Sequence, residues 1–273
     1  MEASSGQSDV VVMNKERLAM EITILGVRIH PIDMRSLNLL IRDAIRRKKR
    51  IIIAGQNLHG VYLYHRDEKR KAYCDMADVV RVDGMSLIFW ARILGYSVRR
   101  ENRVALIDWI HPLISMAEIE GWKVFYLGGK PGVADQAAEK LRQQYPNLLI
   151  TTRCGYFTSE ENDIVLNEIA DFQPHILMVG MSMPRQEQWI LDNLDCIRAN
   201  AIISVGACFD FIAGKIPTPP RWMGQMGLEW LYRLISEPKR LSYRYLVEPW
   251  YLVPLMIKDI RQRFFEMNHI KVR

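Results

Sequence analysis

Short apolar runs and amphipathic stretches alternate along this chain from about residue 20 to residue 216. The segment "EITILGVRIHPID" reads as a short hairpin turning at Gly26. In "MRSLNLLIRDAIRRKK" the spacing sets Leu37, Leu40, Ile41 and Ile45 on one helical face, with arginine and lysine opposite. "RIIIAG" predicts a buried strand, and "NLHGVYLYHRDEKRKAYCDM" a helical stretch beginning near Asn57. "DVVRVDG" is the next strand, followed by a helix in "SLIFWARILG" that stops at Gly95. The rhythm repeats in the second half. Strands are expected in "WKVFYLGG", "LLITTRCGYF", "HILMVGM" and "AIISVGA". Between them lie helices in "PGVADQAAEKLRQQYP", in "SEENDIVLNEIADFQP" with a capping pattern at Ser159 and Asp163, and from Pro184 to about Leu194. Such alternation predicts an α/β fold with a mainly parallel sheet, whose ligands bind at the carboxyl ends of the strands.

From about Pro217 the strand signal ends. The remaining segment is rich in Trp, Tyr, Leu and Arg, and Pro219, Pro220, Pro238, Pro249 and Pro254 are expected to divide it into short helices. The chain therefore divides into an N-terminal tail (1–20), an α/β domain (21–216) and a C-terminal helical appendage (217–273). The most apolar stretch, Tyr245 to Ile257, includes Glu248 and two prolines. It is shorter than the roughly twenty residues of a spanning helix but suits a membrane surface. No secretory signal is expected, because "SSGQSD" and "NKERLA" interrupt the N-terminal region.

Composition narrows this picture. A net charge of +6 and a pI near 9.1 point to an anionic partner such as phosphate, nucleic acid or anionic lipid, although solubility alone accounts for a surplus of that size. Cys74, Cys154, Cys196 and Cys208 are widely spaced with no CxxC pair, as in reduced cytosolic proteins. Without Asp-x-Asp, HExxH or a His/Cys cluster, no metal site is expected. The absence of Gly-x-Ser-x-Gly speaks against a serine hydrolase of the α/β type.

Candidate chemistry gathers at the expected strand ends. Gly128-Gly129 before Pro131 offers close backbone approach and a helix N-terminus to a phosphate, though an ordinary turn uses the same residues. In "VGMSMPRQEQW", Gln186 and Glu187 suit the edges of a base or ribose hydroxyls, or simply complement the helix dipole. "VGACFDFIAG" supplies Phe209 for stacking on a ring and Asp210 as an acceptor. In the first half, Asn57 and Asp83 end two strands; Asp83-Gly84 reads as a turn or as a general base.

Taken together, "VDGMSLIFWARILG", "YLGGKPGVADQAAEKL", "VGMSMPRQEQWI", "VGACFDFIAG" and "PRWMGQMGLEWLYRLISEPKRLSYRY" resemble the WecG/TagA/CpsF bacterial glycosyltransferases, from about Ile22 to about Leu252. The resemblance implies inverting transfer of a sugar from a UDP-sugar to a sugar carried on undecaprenyl diphosphate, with no metal or other cofactor. It implies two Rossmann-like halves around a cleft, and an appendage working at the cytoplasmic face of the bacterial inner membrane. Self-association is also implied. On this likeness Asp83 is the base, with Asn57 and Arg221 completing the catalytic set. Gly129, Gln186, Glu187, Phe209 and Asp210 take the phosphate, base and ribose. Arg233, Lys239, Arg240 and Arg244 are the further cations for diphosphate, while Trp222, Trp230, Trp250 and Tyr251 seat at the membrane interface.

Two departures stand out. Gly55-Gln56-Asn57 replaces the family's frequent Thr-x-Asn, and "RVALID" has Leu106 where glycine is frequent. The sugar expected is a hexose such as glucose, or one of the N-acetylmannosamine type. Two other readings are open: an NAD-dependent nucleotide-sugar enzyme, opposed by the lack of GxGxxG, and a basic nucleic-acid-binding module suggested by "RRKKR", Arg46 to Arg50. That run is better read as a helix end, where cations suit the dipole, so no nucleic-acid partner is expected.

Overall fold

The computed structural model describes residues 20–270, except for the side chains of residues 221, 225 and 266–270. The expected N-terminal tail lies, but for Met20, outside the described residues. β1 (Ile22–Ile24) and β2 (Val27–Ile29) pair antiparallel, and Gly26 takes the positive φ of 70° that the tight turn requires.

Six further strands form one parallel sheet. They are β3 (Ile51–Gln56), β4 (Val79–Val82), β5 (Lys123–Gly128), β6 (Leu149–Arg153), β7 (Ile176–Gly180) and β8 (Ala201–Ser204). Their order is β4-β3-β8-β7-β5-β6, so the two halves of the chain meet in a single continuous sheet where β3 pairs with β8. Both faces are covered, which explains the unbroken apolar runs of the sequence. Ile51 and Ile53 pack on one face, against helices Met34–Arg46, Leu106–Ile119 and Val133–Gln144. Ile52 and Ala54 pack on the other, against helices Leu58–Tyr64, Glu68–Met76, Asn162–Phe172 and Arg185–Asn193.

Several local expectations need correction. The stretch after Asn57 is two helices, because the Asp67 carboxylate accepts from Arg70 N and starts the second one. Helix Leu106–Ile119, which encloses Pro112, had no counterpart in the sequence pattern. The capping box before Asn162–Phe172 uses Thr158 and Glu161, not Ser159 and Asp163. After residue 220 come helices Arg221–Met226, Glu229–Ser236 and Pro238–Ser242, a π-helical turn Tyr243–Val247, and a long helix Glu248–Ile270. Pro249 and Pro254 do not break that last helix: the first sits in its opening turn and the second lies inside it. Among the described residues no helix is long and apolar enough to cross a membrane.

The sheet order determines where a ligand fits. β3 and β8 are neighbours, yet the helix after β3 covers one face while helix Cys208–Ala213, after β8, covers the other. Chain segments leaving the two carboxyl ends diverge and open a crevice between them.

Candidate functional site

That crevice holds a cavity of about 240 Å³. Its walls come from the ends of β3, β4 and β8 and from the C-terminal helices. One carboxylate in it, besides that of Glu229, is Asp83, one residue beyond β4. At 32% exposure it is open to the cavity and not sealed in the interior. Asp83 Oδ1 accepts from Arg81 Nη1 at 3.0 Å and from Leu106 N at 3.2 Å, while Oδ2 accepts from Asn57 Nδ2 at 3.3 Å. Asn57 is itself fixed as the cap of helix Leu58–Tyr64, its Oδ1 accepting from Gly60 N at 3.0 Å. Oδ2 is thus the less encumbered oxygen. Burial pushes the Asp83 carboxyl up, but the charges of Arg81 and Arg103, with hydrogen bonds from Arg81 and Asn57, outweigh it and hold the group below the ordinary carboxylate value. Asp83 is ionised at neutral pH.

Among the described residues five arginines line the same cavity: Arg81, Arg103, Arg233, Arg240 and Arg244. Arg103 donates to the Asp83 carbonyl at 3.1 Å and pairs with Glu229 at 2.5 Å, so an acid of the C-terminal segment touches the β4 end. Arg240 is held by Glu237 through bonds of 2.6 and 2.7 Å. Arg233 stands 5.7 Å from the Phe211 ring centroid. The Nε atoms of Arg81, Arg233 and Arg244 are buried with no hydrogen-bond partner among the described residues. Burial lowers the Arg244 guanidinium from its ordinary value, a cost that a bound anion would relieve. Guanidinium groups with unsatisfied Nε atoms converging on a small cavity suit a phosphate-bearing ligand.

Of the residues expected from sequence, Asn57, Asp83, Gln186, Arg233, Arg240 and Arg244 come together on this cavity. Others stand elsewhere. Glu187 is fully buried in an ion pair with Arg70, at 2.7 Å and with exposures of 1% and 0%. That leaves it unavailable to a ribose. Gln186 spends its amide inside the protein, donating to Glu187 at 2.8 Å and accepting from Gly206 N at 2.9 Å. Phe209 is fully buried and stacked on Tyr126, so the ring reaching the cavity is Phe211, two residues on. Asp210 is half-buried, and burial raises its carboxyl. Gly129, one residue beyond β5, has φ of 69° and bonds Gly180 and Gly155 through its backbone. Neither Gly129 nor Asp210 is among the residues lining this cavity. The side chain of Arg221 lies outside the described residues.

Among the charged and imidazole side chains that line the cavity, Arg81, Arg103, His59 and Glu229 were not foreseen. Arg81 had a visible signal, since a cation inside the apolar run "VVRV" needs a buried partner. For Glu229 the partner lies 126 residues away in sequence, and no local pattern reports that. A larger groove of about 1170 Å³ adjoins the cavity, sharing Arg103, Phe211, Pro219 and Glu229 as a common wall. The family model described as "Glycosyl transferase WecG/TagA/CpsF family" matches residues 22–265.

Proposed function

Because the chain belongs to the WecG/TagA/CpsF glycosyl transferase family, we propose that its cavity carries out inverting transfer from a UDP-sugar to a sugar held on a polyprenyl diphosphate. The observation that carries this reading is the ionised carboxylate of Asp83 beside five arginines among the described residues on the walls of a single small cavity. Asp83 accepts the proton of the acceptor hydroxyl as that oxygen attacks the anomeric carbon from the face opposite UDP. The bond to UDP breaks as the new glycosidic bond forms. Charge growing on the departing diphosphate is met by Arg233 and Arg244, whose Nε atoms are buried, and by the more exposed Arg240, all positioned before the reaction begins. Asn57 and Arg81 position the carboxylate and leave Oδ2 the freer oxygen for the proton. With these cations in place the proposed reaction uses no divalent ion.

The adjoining groove suits the acceptor, since it shares a wall with the cavity and carries both charged and apolar side chains. The C-terminal segment from residue 217 is proposed as the part that rests on the cytoplasmic face of a bacterial inner membrane, where a lipid-linked acceptor lies. A hexose such as glucose, or an N-acetylmannosamine-type sugar, is the proposed cargo. The test is incubation with a panel of UDP-sugars and a short-chain polyprenyl diphosphate sugar, with and without EDTA. The expected result is a product heavier by one sugar, with equal yield in EDTA. UDP formation from none of the donors overturns the reading.

A further inference from the structure

One cluster of titratable groups on the same cavity has no part in the scheme above. His59, in the first turn of helix Leu58–Tyr64, is a lining residue. Its Nδ1 lies 2.6 Å from Oε2 of Glu248, which is 189 residues away at the start of helix Glu248–Ile270. Both side chains are largely buried, with exposures of 18% and 7%. A contact this short holds one proton between nitrogen and oxygen, and the owner of that proton decides what the other ring nitrogen offers.

The surroundings are cationic. Arg244 of the π-helical turn, Arg70 of helix Glu68–Met76 and Arg240 of helix Pro238–Ser242 all act on His59. Arg233, Asp83 and Tyr245 stand around Arg244 in turn. Burial first, then these arginines, push the imidazole down to about 3, so the ring is neutral across the physiological range. Burial, opposed by Arg244, pushes Glu248 up to about 7. A neutral imidazole carries one N–H. With Glu248 protonated, its O–H donates to Nδ1 and the ring hydrogen sits on Nε2. With Glu248 ionised, Nδ1–H donates to the carboxylate and Nε2 keeps a bare lone pair.

We propose that His59 is a diphosphate-binding residue of this cavity, switched between donor and acceptor at Nε2 by the proton on Glu248. The inference rests on the reading that the cavity takes a nucleoside diphosphate. An ionised phosphate oxygen only accepts, so Nε2–H holds it and a lone pair there repels it. Arg240 and Arg244 supply charge at this wall; His59 adds a directed hydrogen bond that exists only below the Glu248 titration. The pair also joins the strand-end helix to the C-terminal helix, so loss of the switch has to be separated from loss of that junction.

The test is UDP binding by calorimetry from pH 6 to pH 8, wild type against Glu248→Gln, compared at each pH so that the ionisation of UDP cancels. A glutamine amide has no proton to lose in this range, so whichever tautomer of His59 it pairs with stays the same from pH 6 to pH 8. Wild-type affinity is expected to fall about tenfold further than that of the variant over this interval, the worth of one hydrogen bond to a charged group. Parallel loss in the two proteins overturns the switch while leaving the nucleotide reading intact. Absence of UDP binding to wild type at any pH overturns both. A second measurement needs no altered dyad: nitrogen-15 spectra of wild type with UDP, the His59 signals assigned by their loss in His59→Gln. They are expected to change from the Nε2–H to the Nδ1–H tautomer between pH 6 and pH 8, and a single tautomer throughout overturns the proposal.

Discussion

Asp83 stands between opposing influences, and their balance makes a prediction about rate. Burial raises its carboxyl; Arg81 and Arg103 bring it below the ordinary value. The proposed base is therefore ionised at neutral pH, and the acid limb of kcat/KM lies below the ordinary carboxylate value of about 3.9. Replacing Arg81 by methionine removes a hydrogen bond of 3.0 Å and the nearest cation while leaving the burial. The acid limb is expected to move to higher pH, read from a pH–rate profile of the folded variant. Asp83→Asn is expected to lower kcat by about 10²- to 10⁴-fold at every pH, the usual worth of a general base. An unmoved limb in Arg81→Met means that Asp83 is not the titrating base. Arg81 also accounts for a departure in the sequence. A Cβ added at Gly55 would lie 2.9 Å from Arg81 Nη2, so the space a threonine needs at position 55 is filled by the guanidinium that pairs with Asp83. At this scale the carboxylate and its asparagine were legible, because polar residues closing apolar strands stand out. The facing of Phe209 against Phe211 was not, since six residues of helix Cys208–Ala213 show no clear period.

Elements are tied together behind the cavity by a buried polar chain. Arg70 donates to Gln56 Oε1 at 2.8 Å and to the Gly60 carbonyl at 3.2 Å, and it pairs with Glu187, which binds Gln186, which binds Gly206. The chain joins the ends of β3 and β8 to helices Leu58–Tyr64, Glu68–Met76 and Arg185–Asn193. A buried charge deprived of its partner costs far more than the pair contributes net, so Glu187→Ala is expected to lose about 3–5 kcal/mol of unfolding free energy. Arg70→Met combined with Glu187→Met is expected to lose markedly less, because no charge is left alone; denaturant unfolding of the single and double variants measures the difference. Equal losses would mean that packing, not charge, dominates this junction. The same region shows what patterning conveys. Six parallel strands were legible as apolar runs because both faces of the sheet are covered. Their order was not, since pairing of β3 with β8 depends on contacts about 150 residues apart. Pro249 and Pro254 both lie within helix Glu248–Ile270, so proline overstated the number of breaks.

For the molecule as a whole, one segment carries both cavity-lining arginines and exposed apolar rings. Helices beyond residue 220 send Arg233, Arg240 and Arg244 into the cavity and leave Trp222, Trp230, Ile235, Trp250, Phe264 and Phe265 exposed. A chain bearing +6 net charge with this apolar surface is suited to an anionic bilayer, which draws it in by charge and retains it by burying rings. The arrangement also matches the proposed chemistry, because a lipid-linked acceptor brings its diphosphate no farther than the membrane surface. Trp250 and Phe265, 74% and 66% exposed, make few contacts within the fold, so replacing both with serine is expected to leave the melting temperature nearly unchanged. Full burial of a large apolar side chain contributes roughly 1.5–3 kcal/mol. Flotation with anionic vesicles is therefore expected to fall by at least about tenfold in the double variant. Salt should weaken wild-type binding only in part, since screening reaches the charges and not the rings. Turnover of a water-soluble short-chain acceptor should be preserved while turnover of a vesicle-borne acceptor drops, which separates delivery from chemistry. If flotation is unaffected and light scattering instead shows a change of oligomeric state, the exposed rings belong to an interface between copies of the chain.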